Sequence, residues 1–283
     1  MLESEVPSDA PHDQIFDDGA GHFVRTGNIA PETKPVTTMA TIADKLGVLT
    51  RDGIEKILAD PNRKTARERF PASWIKNQGR RGSCNAYAAC AATERARAVR
   101  RLPRVELGPE FLYSQINGGS DRGSMLDDGM RSMITTGCPP KEFVTYESYR
   151  KSQQSPEAYA NASRFRILEP YALNSDEELA TAIALNFFCV VAVHVANPWF
   201  KLDSNGVVMP TDGPGNHAIA VDDVRINSRG EYEFDHPGSW ATTYGDQGRG
   251  WITWNRHMRT TVRYHQFFAI RSTQDDPHGD TFV

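Results

Sequence analysis

Asn77-Gln78-Gly79-Arg80-Arg81-Gly82-Ser83-Cys84-Asn85-Ala86-Tyr87-Ala88-Ala89-Cys90 joins a glycine-punctuated polar loop to an alanine-rich helical segment. Cys84 sits at the junction. A thiol there faces unpaired backbone N–H groups and the positive end of a helix dipole, and both favour thiolate over thiol. Gln78, six residues upstream, can aim its side-chain amide at the same point. That is the layout of a nucleophile with an oxyanion donor beside it. The remainder of the chain must then supply a base and something to orient it.

The 283 residues allow one large domain or two packed lobes with ample core. A hydrophobic fraction of 39% and a charged fraction of 24% fit a soluble globular protein with polar tails. A net charge of −4 gives no whole-chain attraction to nucleic acid, so no nucleic-acid partner is expected. No apolar run approaches a membrane span, and no membrane partner is expected. Met1 to Pro11 is acidic and lacks the charged-then-apolar order of a signal peptide. Cys84, Cys90, Cys138 and Cys189 are scattered, which predicts no disulfide framework and a cytoplasmic or other reducing compartment. No two cysteines or histidines show paired ligand spacing, so neither a metal nor another cofactor is expected.

Residues 1–66 read as an N-terminal acidic arm carrying short helices. Thr41 to Gly47 predicts one helix closed by glycine. Thr50 to Leu58 predicts another, capped by Thr50 and stopped at Asp60-Pro61. The cluster Arg63, Lys64, Arg67 and Arg69 reads as a solvated linker. Residues 67–165 then read as mainly helical, with a buried alanine-rich helix over 84–101 on which Cys90 is a small core residue. A glycine-rich loop spans 117–124, and a helix from Met125 to Thr136 is stopped by Gly137. Residues 166–272 read as mainly strands, among them Phe187–Val195, His217–Val221, Glu231–Phe234, Trp251–Trp254 and Phe267–Arg271, with one helix at Glu177–Leu185. The expected class is α+β, two lobes with a cleft between them, followed by a polar tail at 273–283.

His217 opens a predicted strand, and 217 − 84 = 133 residues separate it from Cys84. A thiol and an imidazole facing each other across a cleft satisfy thiolate–imidazolium chemistry. Other histidines fit that role less well. His194 lies in a buried strand and reads as core. His257 and His265 flank a polar turn and read as solvated. His12, His22 and His278 lie in the tails.

Four blocks, in order over about residues 70–272, resemble the papain-like cysteine peptidase family. They are Asn77–Cys84, Gly119–Gly123 with the helix up to Gly137, Asn216-His217-Ala218-Ile219, and Ser239–Gly248. The resemblance implies a helical lobe and an antiparallel, barrel-like β lobe. It implies that Cys84 is the nucleophile, His217 its partner and Gln78 the oxyanion donor. Trp240 and Ser239 would support the histidine. Gly118, Gly119, Gly123 and Asn216 would meet the substrate backbone. The chain also departs from the family pattern. Arg81 stands where secreted members carry a disulfide cysteine, and Asn85 stands where tryptophan is usual, giving one cleft wall more polarity. Gly238 stands where an asparagine normally holds the histidine, leaving Asp235 or His236 to reach His217.

The implied activity is hydrolysis of peptide bonds in a peptide or protein substrate. The alternative is a weakly active or inactive papain-fold module that binds peptide or serves as part of an assembly. Residues 1–66 would be a propeptide-like segment in the first case, or an arm docking on a protein partner.

Overall fold

The computed structural model describes residues 15–17, 23–37, 39–168 and 170–277. Much of the predicted acidic arm, the end of the polar tail, and His12, His22 and His278 lie outside them. The chain opens on two antiparallel strands, β1 (Ile15–Asp17) and β2 (Phe23–Arg25), with Phe16 opposite Val24. Three short helices follow: α1 (Ile42–Leu46), α2 (Arg51–Leu58) and α3 (Ala66–Arg69). Each starts where a threonine side chain accepts a backbone N–H of its first turn. Thr41 and Thr65 form reciprocal caps with Asp44 and Glu68, and Thr50 caps α2.

The helical half is built on α4 (Cys84–Val99), α5 (Pro109–Ile116), α6 (Leu126–Thr135) and α7 (Pro156–Ala162). Every residue of α4 from Cys84 to Arg97 is buried. Its alanines let neighbouring backbone approach on all sides, so the helix runs through the core instead of lying on it. It packs on α5, α6, β5 and β6. Cys90 faces away from Cys84 and meets the Cys138 thiol at 3.6 Å, within the core as its position on the helix predicts.

The β half contains β3 (Ile167–Leu168), β4 (Tyr171–Leu173), α8 (Asp176–Ala184), β5 (Phe188–Val193), β6 (His217–Val221), β7 (Asp223–Ile226), β8 (Tyr232–Pro237), β9 (Arg249–Thr253), β10 (Phe267–Ile270) and β11 (Ser272–Thr273). The order β4-β10-β5-β6 forms one antiparallel sheet, and β7-β8-β9 forms a second. These sheets are open, so the barrel-like lobe is a pair of sheets and not a closed barrel. β5 is buried along its whole length, as its unbroken apolar run predicts. The register sets Val193 opposite His217 and Ala192 opposite Ala218, which fixes His217 at the end of the sheet that packs on α4.

An ionic seam ties the halves together. Arg95 of α4 donates to Asp222 at 2.7 Å, and Asp222 also pairs with Arg249. Arg249 and Arg67 each reach Asp235 at 3.0 Å, and Arg67 reaches Asp246 at 2.5 Å. Arg63 pairs with Asp223, which also accepts the Ala66 N–H at 2.6 Å. The basic cluster is therefore not a solvated linker. Two of its arginines neutralise Asp223 at the start of β7 and Asp235 within β8, because carboxylates buried that deeply require cations.

Removing Asp222 takes the carboxylate partner from buried Arg95 and one of two from Arg249. Asp222→Ala is expected to lower unfolding free energy by about 3–5 kcal/mol. Arg51→Ala, which breaks the exposed Arg51–Glu55 pair, should cost only about 0.3–0.5 kcal/mol. Urea titration of both variants checks the contrast.

Candidate active site

Cys84 is the first residue of α4 and is fully buried. Burial pushes its thiol up to about 11, while backbone N–H groups, those of Ala218 and Gly27 foremost, pull the other way. His217 is also fully buried, and burial pushes its imidazole down to about 3. Both therefore stand neutral at pH 7 in this conformation. The Ala218 contact puts the start of β6 against the thiol, so the fold brings the two predicted partners to one place. Neither ring nitrogen of His217 has a hydrogen-bond partner among the described residues. The ring is held by stacking on Trp240, with centroids 4.3 Å apart and planes 17° from parallel.

Gln78 is positioned from both ends. Its backbone N–H donates to Ser239 O at 2.7 Å, and its Oε1 accepts the Ser239 hydroxyl at 2.5 Å. That leaves Nε2 aimed at Arg81 O, 2.8 Å, and at Arg25 O, 2.9 Å. Trp240 Nε1 approaches the same Arg25 carbonyl at 3.3 Å. A main-chain carbonyl of the chain's own N-terminal segment thus sits on the amide predicted to be an oxyanion donor.

The segment from Arg25 to Ile29 runs across the thiol. Gly27 and Asn28 donate to Asn216 O at 3.2 and 2.9 Å. Ile29 N–H reaches Ser124 O at 2.9 Å, and Ser124 N–H reaches Gly27 O at 2.8 Å. The pairing with Ser124 is parallel. A Cβ on Gly27 would fall 2.1 Å from Gly82 O, so only glycine passes this close to the nucleophile loop. Arg25 anchors one end through a buried ion pair with Asp121 at 2.9 Å. Asp121 also accepts the Gly82 N–H at 3.0 Å and the Tyr113 hydroxyl at 2.7 Å.

Other predicted residues take definite places. Asn216 uses its carbonyl toward the segment and its side chain to hold Val195, 2.8 and 2.9 Å. Gly123 lies under the segment, where a Cβ would meet Gly27 O at 2.2 Å. Gly118 and Gly119 sit in open space at φ 63° and 88° and shape the loop, while Ser124 makes the backbone pairs. Asn85 does not line a cleft wall. It donates to Ser124 O at 2.7 Å and fixes that edge from beneath. Asp235 is engaged by Arg249 and Arg67, and His236 Nε2 meets Tyr244 Oη at 2.9 Å.

Three histidines differ from expectation. His194 follows β5, is half-buried, and contacts Thr211 at 3.2 Å. His257 and His265 are buried, not solvated, at 4% and 1% exposure. His257 lies 3.0 Å from Val208 O, and His265 lies 3.0 Å from Pro214 O and 3.2 Å from Asn28 Nδ2. The polar sequence around them gave no sign that loop carbonyls fold over the rings. Ser124, Asp121 and the Arg25–Ile29 segment went unmarked for a related reason: the contacts that bring the segment to Asp121, Ser124 and Asn216 join residues about 95 apart or more.

A family model, papain family cysteine protease, matches residues 61–270. The chain belongs to the papain family of cysteine proteases. Peptidase 1 of Euroglyphus maynei is 22% identical over 67% of this chain and 60% of its own length. Cysteine proteinase EP-B 1 of Hordeum vulgare is 26% identical over 64% of this chain and 51% of its own. The chain thus spans about half to three-fifths of these relatives. Among solved structures, xylellain of Xylella fastidiosa superposes with a TM-score of 0.62 at 19% identity, covering 88% of this chain and 96% of that one. Procathepsin B S9 of Trypanosoma congolense gives 0.63 at 18%, covering 87% and 85%. These likenesses show the fold.

Within this papain-family chain, Gly238 has a local reason. A Cβ there would lie 2.6 Å from the Tyr244 ring. Tyr244 fills the room a side chain would need, packs edge-on against Trp240 at 5.5 Å, and takes the His236 imidazole. The tryptophan over His217 is thereby held by an aromatic neighbour.

His217 at about 3 and His257 and His265 at about 4 are all held below the ordinary histidine value by burial. The unfolded chain binds these three protons near pH 6.5 and the folded chain does not, so stability falls as pH falls. Each contributes about 1.4 kcal/mol per pH unit between about pH 6.5 and 4. Asp127, Asp176 and Asp235, raised to about 6 by burial, act in the opposite direction below about pH 6, so the check is a difference: the urea midpoint of wild type should fall relative to that of His257→Gln as pH drops from about 6.5 to 4.

Proposed function

We propose that this chain is a cysteine peptidase held latent by its own residues 25–29. The observation that carries the reading is the Arg25 carbonyl on Gln78 Nε2, with the Gly27 N–H of the same segment against the Cys84 thiol. A peptide carbonyl already fits where the oxyanion donor points, but through a backbone whose approach leaves the thiol buried and neutral. When the segment lifts, water reaches the pair, the desolvation that disfavours charge is relieved, and a proton passes from Cys84 to His217.

A substrate carbonyl then takes the place of Arg25 O. The Cys84 thiolate adds to the carbonyl carbon, and Gln78 Nε2 together with the Cys84 backbone N–H stabilises the oxyanion. Collapse breaks the C–N bond as His217 gives its proton to the leaving amine. Water, deprotonated by His217, then cleaves the thioester and restores the thiol. Asn216 O and Ser124 hold the substrate backbone. Trp240 holds the imidazole plane, and the packing behind it does the orienting that a hydrogen-bonding asparagine does elsewhere. His236 and Asp235 act through that packing and the ionic seam. The whole of residues 1–66 is then a propeptide-like element. Four free thiols and Arg81 at a disulfide position support work in a reducing compartment.

A second reading, a peptide-binding module without turnover, draws on the unpartnered His217 ring nitrogens. Peptide cleavage separates the two. Wild type should hydrolyse a peptide mixture once the segment is displaced, and Cys84→Ala should not. Gln78→Ala should reduce kcat about 10²–10³-fold with little change in KM. Identical product profiles from wild type and Cys84→Ala would remove the enzyme reading.

A further inference from the structure

The residue bracketed by Ser124 is Asn28. Its neighbours' hydrogen bonds, Ile29 N–H to Ser124 O and Ser124 N–H to Gly27 O, fix the backbone on both sides of it. Its side chain is driven inward and is 2% exposed. Nδ2 lies 3.1 Å from Gly215 O and 3.2 Å from His265 Nε2. Gly215 adopts φ +100°, and a Cβ on it would sit 2.9 Å from His265 Nε2, so glycine is what lets the imidazole close against this wall.

We propose that this pocket is the substrate-specificity pocket of the peptidase and selects a primary carboxamide, asparagine above all. The inference rests on the peptidase reading for its meaning, though not for its test. A peptide running in either direction past Ser124 brackets one residue and aims that residue's side chain into the same cavity. The cavity offers the Gly215 carbonyl as an acceptor beside the His265 ring, whose Nε2 becomes a second acceptor when the ring proton leaves Pro214 O and moves to Nδ1. A primary amide carries two N–H groups on one neutral atom and can serve both. A hydroxyl has one. Leucine has the same bulk and no donor, leaving Gly215 O buried and unpaired. Aspartate sets an anionic acceptor against a carbonyl. With Asn28 in place His265 Nε2 lies 3.0 Å from Pro214 O, and Asn28 Oδ1 has no hydrogen-bond partner among the described residues, so Gly215 O is the acceptor that the amide serves in either tautomer.

The full chain tests this without turnover, because Asn28 itself reports on the pocket. Iodoacetamide labelling of Cys84, followed by mass spectrometry, measures how often the segment lifts. Asn28→Leu and Asn28→Asp should label about 10–100-fold faster than wild type, with Asn28→Gln between them. Asn28→Leu combined with His265→Leu should return to slow labelling, since leucine then meets an apolar wall. Asn28→Leu labelling no faster than wild type overturns the proposal, and that result does not depend on the His265 variant folding. In a second arm the Asn28→Leu chain is given a peptide library. Asparagine enriched at one fixed position relative to the cleaved bond supports the pocket. Cleavage with no carboxamide preference overturns it while the peptidase reading stands. No cleavage overturns the peptidase reading, and labelling alone then decides the pocket.

Discussion

The Gln78 side chain is the joint on which the site depends. Its Oε1 is occupied by Ser239, its backbone N–H by Ser239 O, and its Nε2 by Arg81 O and Arg25 O. Turning the amide over would set oxygen against two carbonyls and nitrogen against a donor. One buried amide therefore connects the nucleophile loop, the Ser239-Trp240 strand end and the N-terminal segment, and it has one orientation. Donors fixed before reaction are the ones that lower a barrier, since no reorganisation is needed when charge develops.

A second constraint is the conflict between burial and charge. The Cys84 thiol meets the backbone of Ala218, next to His217, yet thiol and imidazole are both fully buried and each is pushed toward its neutral form. In the proposed peptidase the segment over the thiol would thereby control the chemistry as well as access. Its anchor is shared with the loop it covers, because Asp121 holds Arg25, the Tyr113 hydroxyl and the Gly82 N–H together. Lifting the segment leaves Asp121 two of its partners and keeps the nucleophile loop in place.

The fold was legible where local signals agree with packing. Alanine density announced a buried helix, the apolar run Phe187–Val195 announced a buried strand, and Thr41 and Thr50 marked two helix starts, while the short helix after Thr65 was read as linker. The papain family was legible because Cys84, Gln78, His217 and Trp240 each stand in a short block set by neighbours in sequence; their catalytic roles belong to the proposed mechanism. What stayed hidden depends on distant partners. Nothing near Arg63 and Arg67 reveals that Asp223 and Asp235 await them across the core. Nothing near His265 reveals that Pro214 and Asn28 close over it. The polar Arg25-Thr26-Gly27-Asn28 stretch looks like linker until Gly82, Asn216 and Ser124 are brought around it. Gly238 looked like a lost residue, and the Tyr244 ring that forbids a side chain there lies six residues away on the far side of a turn.

The pH dependence of Cys84 alkylation tests the account most directly, measured on wild type and on Asp121→Asn, which loosens the Arg25 anchor. The account predicts slow reaction in wild type that climbs only in the alkaline range set by a thiol at about 11. In Asp121→Asn it predicts fast reaction with a plateau reaching into acid, where only a thiolate paired with an imidazolium can react, and loss of that plateau when His217→Ala is added. Matching profiles for wild type and Asp121→Asn, with no acid plateau in either, would contradict it.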